Sequence, residues 1–256
     1  MCLVVVAFNA DADMPLIVAA NRDEFHARPT QAADWWADRP GILAGRDLQA
    51  GGTWLGASRN GRFATVTNYR DAQAKSAKFL SRGHLVSEFL SSNQAPVDYL
   101  RTLQADAYAG FNLLLSDGSS LAYLSNRGAE LQELPPGIYG LSNATLDTPW
   151  EKVERSKTRL RTMIDAGGIN DTNLLRLLHD HDKGPVAEVK SSRLPFSVAH
   201  AITAPFIVTP DYGTRCSSIV RADRDGNWHF FERRFKADGQ REGDSQYSFS
   251  VAEQPH

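Results

Sequence analysis

The chain opens MCLVVVAF, residues 1–8. Most chains begin with a few frayed, polar residues. Here Leu3, Val4, Val5 and Val6 run into Ala7 and Phe8 with no polar interruption. An apolar, β-branched run without alternation predicts a strand covered on both faces, with the terminus held inside the structure. Cys2 is then either one more small core residue or a thiol positioned for chemistry.

The rest of the chain narrows the classes. A length of 256 residues, 42% hydrophobic and 23% charged, fits a globular fold, and no break in the pattern divides it, so 1–256 reads as a single domain. A net charge of −2 gives no electrostatic footprint for nucleic acid. No apolar run approaches the ~20 residues of a membrane span, so no stable membrane insertion is expected. The start lacks the basic segment and cleavage site of a signal peptide. Two cysteines, Cys2 and Cys216, make no disulfide framework. A reducing, cytoplasmic setting is the expectation; the oligomeric state is not legible.

Further elements follow from local signals. PLIVAA, 15–20, reads as a second strand joined to the first by the polar turn NADADM, and GRFATVTNY, 61–69, as a third. SRGHLVSEFL and APVDYLRTLQ read as helices, the latter with Pro96 near its start. FNLLLSDGSSLAYLSN, 111–126, is a hairpin around Asp117-Gly118. TPWE predicts a helix capped by Thr148, with Pro149 first and Glu151 reaching back, and a stop at Gly167-Gly168. A shorter helix follows at about 171–180, then a hairpin turning at Asp225-Gly226. Strands, helices and strands again give an α+β fold with two stacked antiparallel sheets between helical layers.

Polar residues at the ends of these apolar segments are the candidates for chemistry. If Met1 is removed, Cys2 carries both a thiol and a free α-amine. An α-amine titrates near 7.7–8.0, so it can serve as base for its own side chain. AANRDEF, 19–25, sets Asn21, Arg22, Asp23 and Glu24 where the second strand ends. A hairpin of the first two strands brings Arg22 and Asp23 beside Cys2; a salt-bridged turn is the plainer reading. A guanidinium there lowers a thiol pKa and a carboxylate orients an amine. Asn68, Asn143 and Arg215 also end or interrupt apolar segments, and an asparagine amide can serve an oxyanion or simply a turn.

AGGTWLGAS, 50–58, is a glycine-rich loop without the ending of a phosphate loop. Its Trp54 and Gly52, with Asn21, are the candidate substrate-contacting residues. His179 and His181 are spaced i, i+2, which puts them on different helix faces, so a solvated helix end and no metal site is expected.

Taken in order, MC, AANRDEF, GGTWLG, TNY, YGLSNA, TPW and YGTR resemble the NRDE family of transport and Golgi organisation proteins, from residue 1 to about 235. That family is similar to the N-terminal-nucleophile hydrolases, most of all the cholylglycine hydrolase and penicillin V acylase group. The resemblance implies a four-layer αββα fold and cleavage of a linear amide by an N-terminal cysteine. It implies Cys2 as nucleophile and base, Arg22 and Asp23 holding the amine and thiol, Asn68 and Asn143 at the oxyanion and amine, and Arg215 beside the nucleophile. One departure is that arginine and aspartate are adjacent here, where the hydrolase group separates them by two residues. Two activities follow as expectations. One is an amidohydrolase or acyltransferase on a small non-peptide amide or thioester, with no cofactor required. The other, implied by the family's links to haem trafficking and acyl-CoA metabolism, is a carrier of haem or acyl-CoA in the same cleft. No Cys-x-x-Cys-His motif supports covalent haem.

Overall fold

The computed structural model describes residues 2–69, 79–189 and 195–251. The opening run is β1 (Leu3–Phe8), fully buried. Its side chains divide as a strand with two covered faces requires. Val4, Val6 and Phe8 enter one apolar cluster, while Val5 and Ala7 enter another. β1 pairs antiparallel with β2 (Leu16–Phe25) in the register Leu3↔Asn21 to Phe8↔Leu16.

β2 does not stop at Ala20. It runs on through Asn21, Arg22, Asp23 and Glu24, because a later strand, β11 (Tyr212–Ala222), pairs with it along its whole length. The polar block expected as a turn after the strand is thus strand, with each of its first three residues nearly solvent-free. Cross-strand pairing overrides the low β-propensity of Asn and Asp.

Two sheets result, both antiparallel. One has the order β10-β1-β2-β11-β12-β13, with β10 (Gly137–Leu141), β12 (Asn227–Phe235) and β13 (Arg241–Ser250). The other runs β3 to β9 in chain order: β3 (Thr30–Trp35), β4 (Ile42–Asp47), β5 (Leu55–Ser58), β6 (Arg62–Asn68), β7 (Phe111–Ser116), β8 (Leu121–Ser125) and β9 (Ala129–Glu133). Val4, Val6, Val18 and Val220 of the first sheet meet Phe63, Leu114 and Tyr123 of the second in the central core.

Helices cover the outer faces. α1 (Arg82–Ser91) and α2 (Pro96–Thr102) pack Leu85, Phe89 and Leu100 on Ala64, Val66 and Leu113 of the second sheet. α3 (Glu151–Asp165) and α4 (Asp171–Leu178) pack Leu160, Leu174 and Leu177 on Val5, Ile17 and Ile219 of the first. A short α5 (Phe196–Ala201) precedes β11. The four layers are αββα, as expected. No helix among the described residues is long and apolar enough to cross a membrane.

The predicted turns hold at Gly118 and Gly226, both at positive φ, and at Gly167, which ends α3 at φ 61. The TPWE cap does not. α3 begins at Glu151 after an extended Trp150 that makes no side-chain cap. Pro149 biases Thr148 away from helical geometry. The Thr148 hydroxyl bonds the Thr145 carbonyl, and Glu151 pairs with Arg155 instead of closing a box. The glycine-rich stretch is also only half a loop, since its last four residues form β5.

Asn21 shows how polar groups are admitted to this interior. Its Nδ2 donates to the carbonyls of Leu178 and Pro205, both at 2.9 Å, and its Oδ1 accepts from Ser217 at 2.6 Å. It binds β2 and β11 to the α3–α4 layer, on the face away from the inter-sheet core. The expectation of Asn21 as a substrate contact is therefore corrected: it is fully buried and its capacity is used inside the fold. Asn21→Ala leaves two carbonyls and a hydroxyl without this partner. We expect a loss of about 3 kcal/mol in urea unfolding; a loss below about 0.5 kcal/mol would contradict the assignment.

Candidate active site

The two sheets are tied together at either end of a cleft. At one end the Thr67 hydroxyl of β6 donates to the Ser142 carbonyl just after β10, at 2.9 Å. At the other, Glu232 of β12 accepts the Ala33 N–H of β3, also at 2.9 Å. Ala33 lies in the register irregularity between Gln31 and Asp34, which frees its N–H for this purpose. Between the ties is a cleft of about 390 Å³, within the range of small-molecule sites.

Cys2, Arg22, Asp23, Gly52, Trp54 and Asn68 all line it. Cys2 immediately precedes β1, and continuing the β1–β2 register by one step sets it opposite Arg22. On the other side of β2, Arg22 pairs with Cys216. The order across three strands is thus Cys2, Arg22, Cys216. Cys2 lies about two strand spacings from Cys216, near 9–10 Å, beyond the reach of a disulfide. Both are free thiols.

The adjacency of Arg22 and Asp23 now has a physical account. Neighbouring strand residues point to opposite faces. Arg22 takes the face of Cys216, with Thr30 Oγ1 at 3.3 Å and Glu24 at 3.9 Å. Asp23 takes the other, where the Thr214 hydroxyl donates to its Oδ1 at 2.7 Å. Burial pushes its carboxyl up to about 6, against the opposing pull of Lys152, Thr214 and Arg22. Lys152 is itself buried in the first turn of α3, with Nζ 3.2 Å from the Ile202 carbonyl.

The Cys2 thiol is raised above its ordinary value. Burial is the main cause, the Asp23 carboxylate adds to it, and the Asp23 N–H hydrogen bond and Arg22 oppose it. Cys216 is pushed well up, by burial and by Glu232. Both shifts favour the protonated thiol.

The remaining candidates have other duties. Asn68 is exposed in the cleft at the end of β6. Asn143 is not a cleft wall: its Nδ2 donates to the Asn68 carbonyl at 2.7 Å. Beside it, the Ser142 hydroxyl donates to the Cys2 carbonyl at 2.9 Å. The pair Ser142-Asn143 therefore holds Asn68 and Cys2 in place. Arg215 sits at the bulge between Thr214 and Cys216, and its Nη1 gathers the carbonyls of Phe25, His26 and Arg28 at 3.0–3.2 Å. It fixes the turn from β2 to β3 and lines no part of the cleft. Gly52 has a packing reason for lacking a side chain: a Cβ there would meet the Gly83 carbonyl carbon at 2.5 Å. Trp54 is partly buried against the central core. His179 and His181 follow α4 with rings 4.9 Å apart, against Phe206, and do not line the cleft. Among the described residues no group of three or more His, Cys, Asp or Glu could hold a metal.

Sequence reading missed Ser142, Thr214 and Lys152. Ser142 and Thr214 lie inside the quoted YGLSNA and YGTR, and Lys152 follows TPWE, but none of the three carries a periodicity that marks it as buried.

The four layers and the cleft at the head of β1 define the class: this is the fold of the N-terminal-nucleophile hydrolases. It is shared with a mutant conjugated bile acid hydrolase from Clostridium perfringens, at a TM-score of 0.53 and 8% identity, covering 100% of this chain and 94% of that one. The profile described as Transport and Golgi organisation 2 matches residues 1–237. The Transport and Golgi organization protein 2 homolog of Bos taurus is 37% identical over 238 residues, covering 85% of this chain and 86% of the relative. Its Homo sapiens counterpart is 36% identical over 243 residues, with the same coverage. The chain belongs to the Transport and Golgi organisation 2 family.

Asp23 is the group whose ionisation the site controls. Titration by carboxylate-detected NMR is expected to give a midpoint of about 6. Lys152→Met removes a buried positive charge that favours the ionised form, so it moves the midpoint higher. A midpoint near 4, or no response to Lys152→Met, would contradict the assignment.

Proposed function

We propose that this chain is an N-terminal cysteine hydrolase or acyltransferase acting on a small non-peptide amide or thioester. The observation that carries it is Cys2 in the cleft, with Arg22 across the strand pair and the Asp23 carboxyl close enough to act on its thiol.

Removal of Met1 frees the α-amine of Cys2. A buried, neutral thiol is a weak nucleophile, and an amine titrating near 7.7–8.0 is a suitable base at neutral pH. The amine takes the thiol proton as sulfur bonds to the substrate carbonyl carbon, and the carbonyl electrons move onto oxygen. The Asn68 amide, held by Asn143 through its own carbonyl, donates to that oxyanion. Collapse breaks the bond to the leaving amine or thiol, which takes the proton from the α-ammonium and leaves a thioester on Cys2. Water, or an acyl acceptor, attacks the thioester with the same amine as base and restores the thiol. Arg22 and the Asp23 N–H favour the thiolate as it forms. An ionised Asp23 carboxylate stabilises the ammonium that forms as the amine takes the thiol proton.

A β-lactone or other acyl electrophile tests this. Wild-type protein is expected to gain one acyl group on Cys2 by intact and peptide mass. Cys2→Ala gains none at that position, and Cys2→Ser reacts slower by roughly two orders of magnitude, since its hydroxyl is far less acidic. An unlabelled Cys2 in protein that begins at Cys2 and binds haem or acyl-CoA would overturn the proposal in favour of a carrier.

A further inference from the structure

Among the described residues, three guanidinium groups line the cleft, from Arg22, Arg28 and Arg82, and they are not equally committed. Arg28 is spent on Asp47: its Nε and Nη2 both reach Oδ2, at 2.8 and 2.7 Å. Arg22 is more than nine-tenths buried and holds only the 3.3 Å bond to Thr30 and the 3.9 Å contact to Glu24. Arg82 donates one bond, from Nη1 to the Gly110 carbonyl at 2.9 Å. Among the described residues no carboxylate pairs with it. Arg82 lines the cleft, close enough to Cys2, Glu24 and Arg28 for those charges to act on it.

The position of Arg82 is built, not incidental. It is the first residue of α1, where Ser81 makes no side-chain cap and the first turn carries no acidic residue. The turn is locked against the 52–53 loop. The Thr53 N–H donates to the Gly83 carbonyl at 3.2 Å, a Cβ on Gly52 would meet the Gly83 carbonyl carbon at 2.5 Å, and one on Gly83 would crowd the Thr53 backbone at 3.0 Å. A guanidinium with no carboxylate partner among the described residues is thereby held at the cleft wall, with the positive end of a helix behind it.

We propose that Arg82 is a specificity-determining residue that binds a carboxylate carried by the small molecule whose carbonyl lies at Cys2. The proposal rests on the reading of Cys2 as nucleophile. A guanidinium fork matches a carboxylate with two parallel bonds. A single negative charge suits the site because the described lining already contains Asp23, Glu24, Asp47 and Glu232 beside its three arginines. A phosphate dianion would bring twice that charge against the same carboxylates.

Calorimetry on full-length Cys2→Ala protein tests the subsite without turnover, using succinamate and its neutral analogue succinamide. Succinamate is expected to bind at least about tenfold tighter, the effect of one charge-assisted pair. Arg82→Gln in the same background removes the difference, and Arg82→Lys keeps part of it. Equal binding of the two compounds, or a preference that survives Arg82→Gln, overturns the subsite. Inorganic phosphate binding tighter than succinamate overturns the single-charge assignment. Acyl labelling of wild-type Cys2, measured in parallel, separates the two claims. Labelling without a succinamate preference rejects Arg82 alone, and a preference without labelling rejects the nucleophile.

Discussion

The pairing of β2 with β1 on one side and β11 on the other is the constraint on which the rest depends. It carries Asn21, Arg22 and Asp23 into regular strand, although their residue types favour turns. Once there, alternation assigns each a face: Asn21 and Asp23 toward the α3–α4 layer, Arg22 toward the inter-sheet space. The same pairing fixes the head of β1, so Cys2 has one position relative to Arg22 and Cys216. A slip of one residue would exchange these faces, expose Val4 and Val6 to the wrong layer and strand three polar side chains. The apolar content of β1 and the polar content of β2 therefore specify the same register.

Burying such groups costs free energy unless each is paired. The structure meets the cost in different ways along one strand. Asn21 is satisfied by two carbonyls and a hydroxyl. Asp23 has Thr214 and the nearby charge of Lys152, yet burial still holds its carboxyl near 6, where a modest change of environment alters its charge. Arg22 has only weak, long contacts. Asn21 lies outside the cleft, whereas Arg22, Asp23 and Glu24 line it, so the ionisable groups of the stretch are the ones a ligand can reach.

Much of this was legible in the sequence, and the failures have identifiable causes. The apolar run after Cys2, the hairpins at Gly118 and Gly226 and the stop at Gly167 are local signals, and they hold. The continuation of β2 past Ala20 was not legible, because it is imposed by β11, nearly two hundred residues later. The TPWE cap failed because Pro149 acts on the residue before it as well as on the helix after it. In the site, Cys2, Arg22, Asp23, Gly52, Trp54 and Asn68 meet in one cleft, whereas Asn143, Arg215 and Asn21 support the backbone around it. Their types and positions relative to strand ends do not distinguish a group that faces substrate from one that holds a carbonyl. Only the partner atom does, and partners are a property of tertiary structure.

The proposed chemistry stands or falls on a free α-amine at Cys2, since a retained methionine would leave the buried thiol without its base. Intact-mass measurement on protein expressed at natural levels, combined with a turnover or acyl-labelling assay on the same sample, tests this most directly. The account predicts that the reactive fraction begins at Cys2 and that any fraction retaining Met1 is inert. Reactive protein whose mass includes Met1 would contradict it.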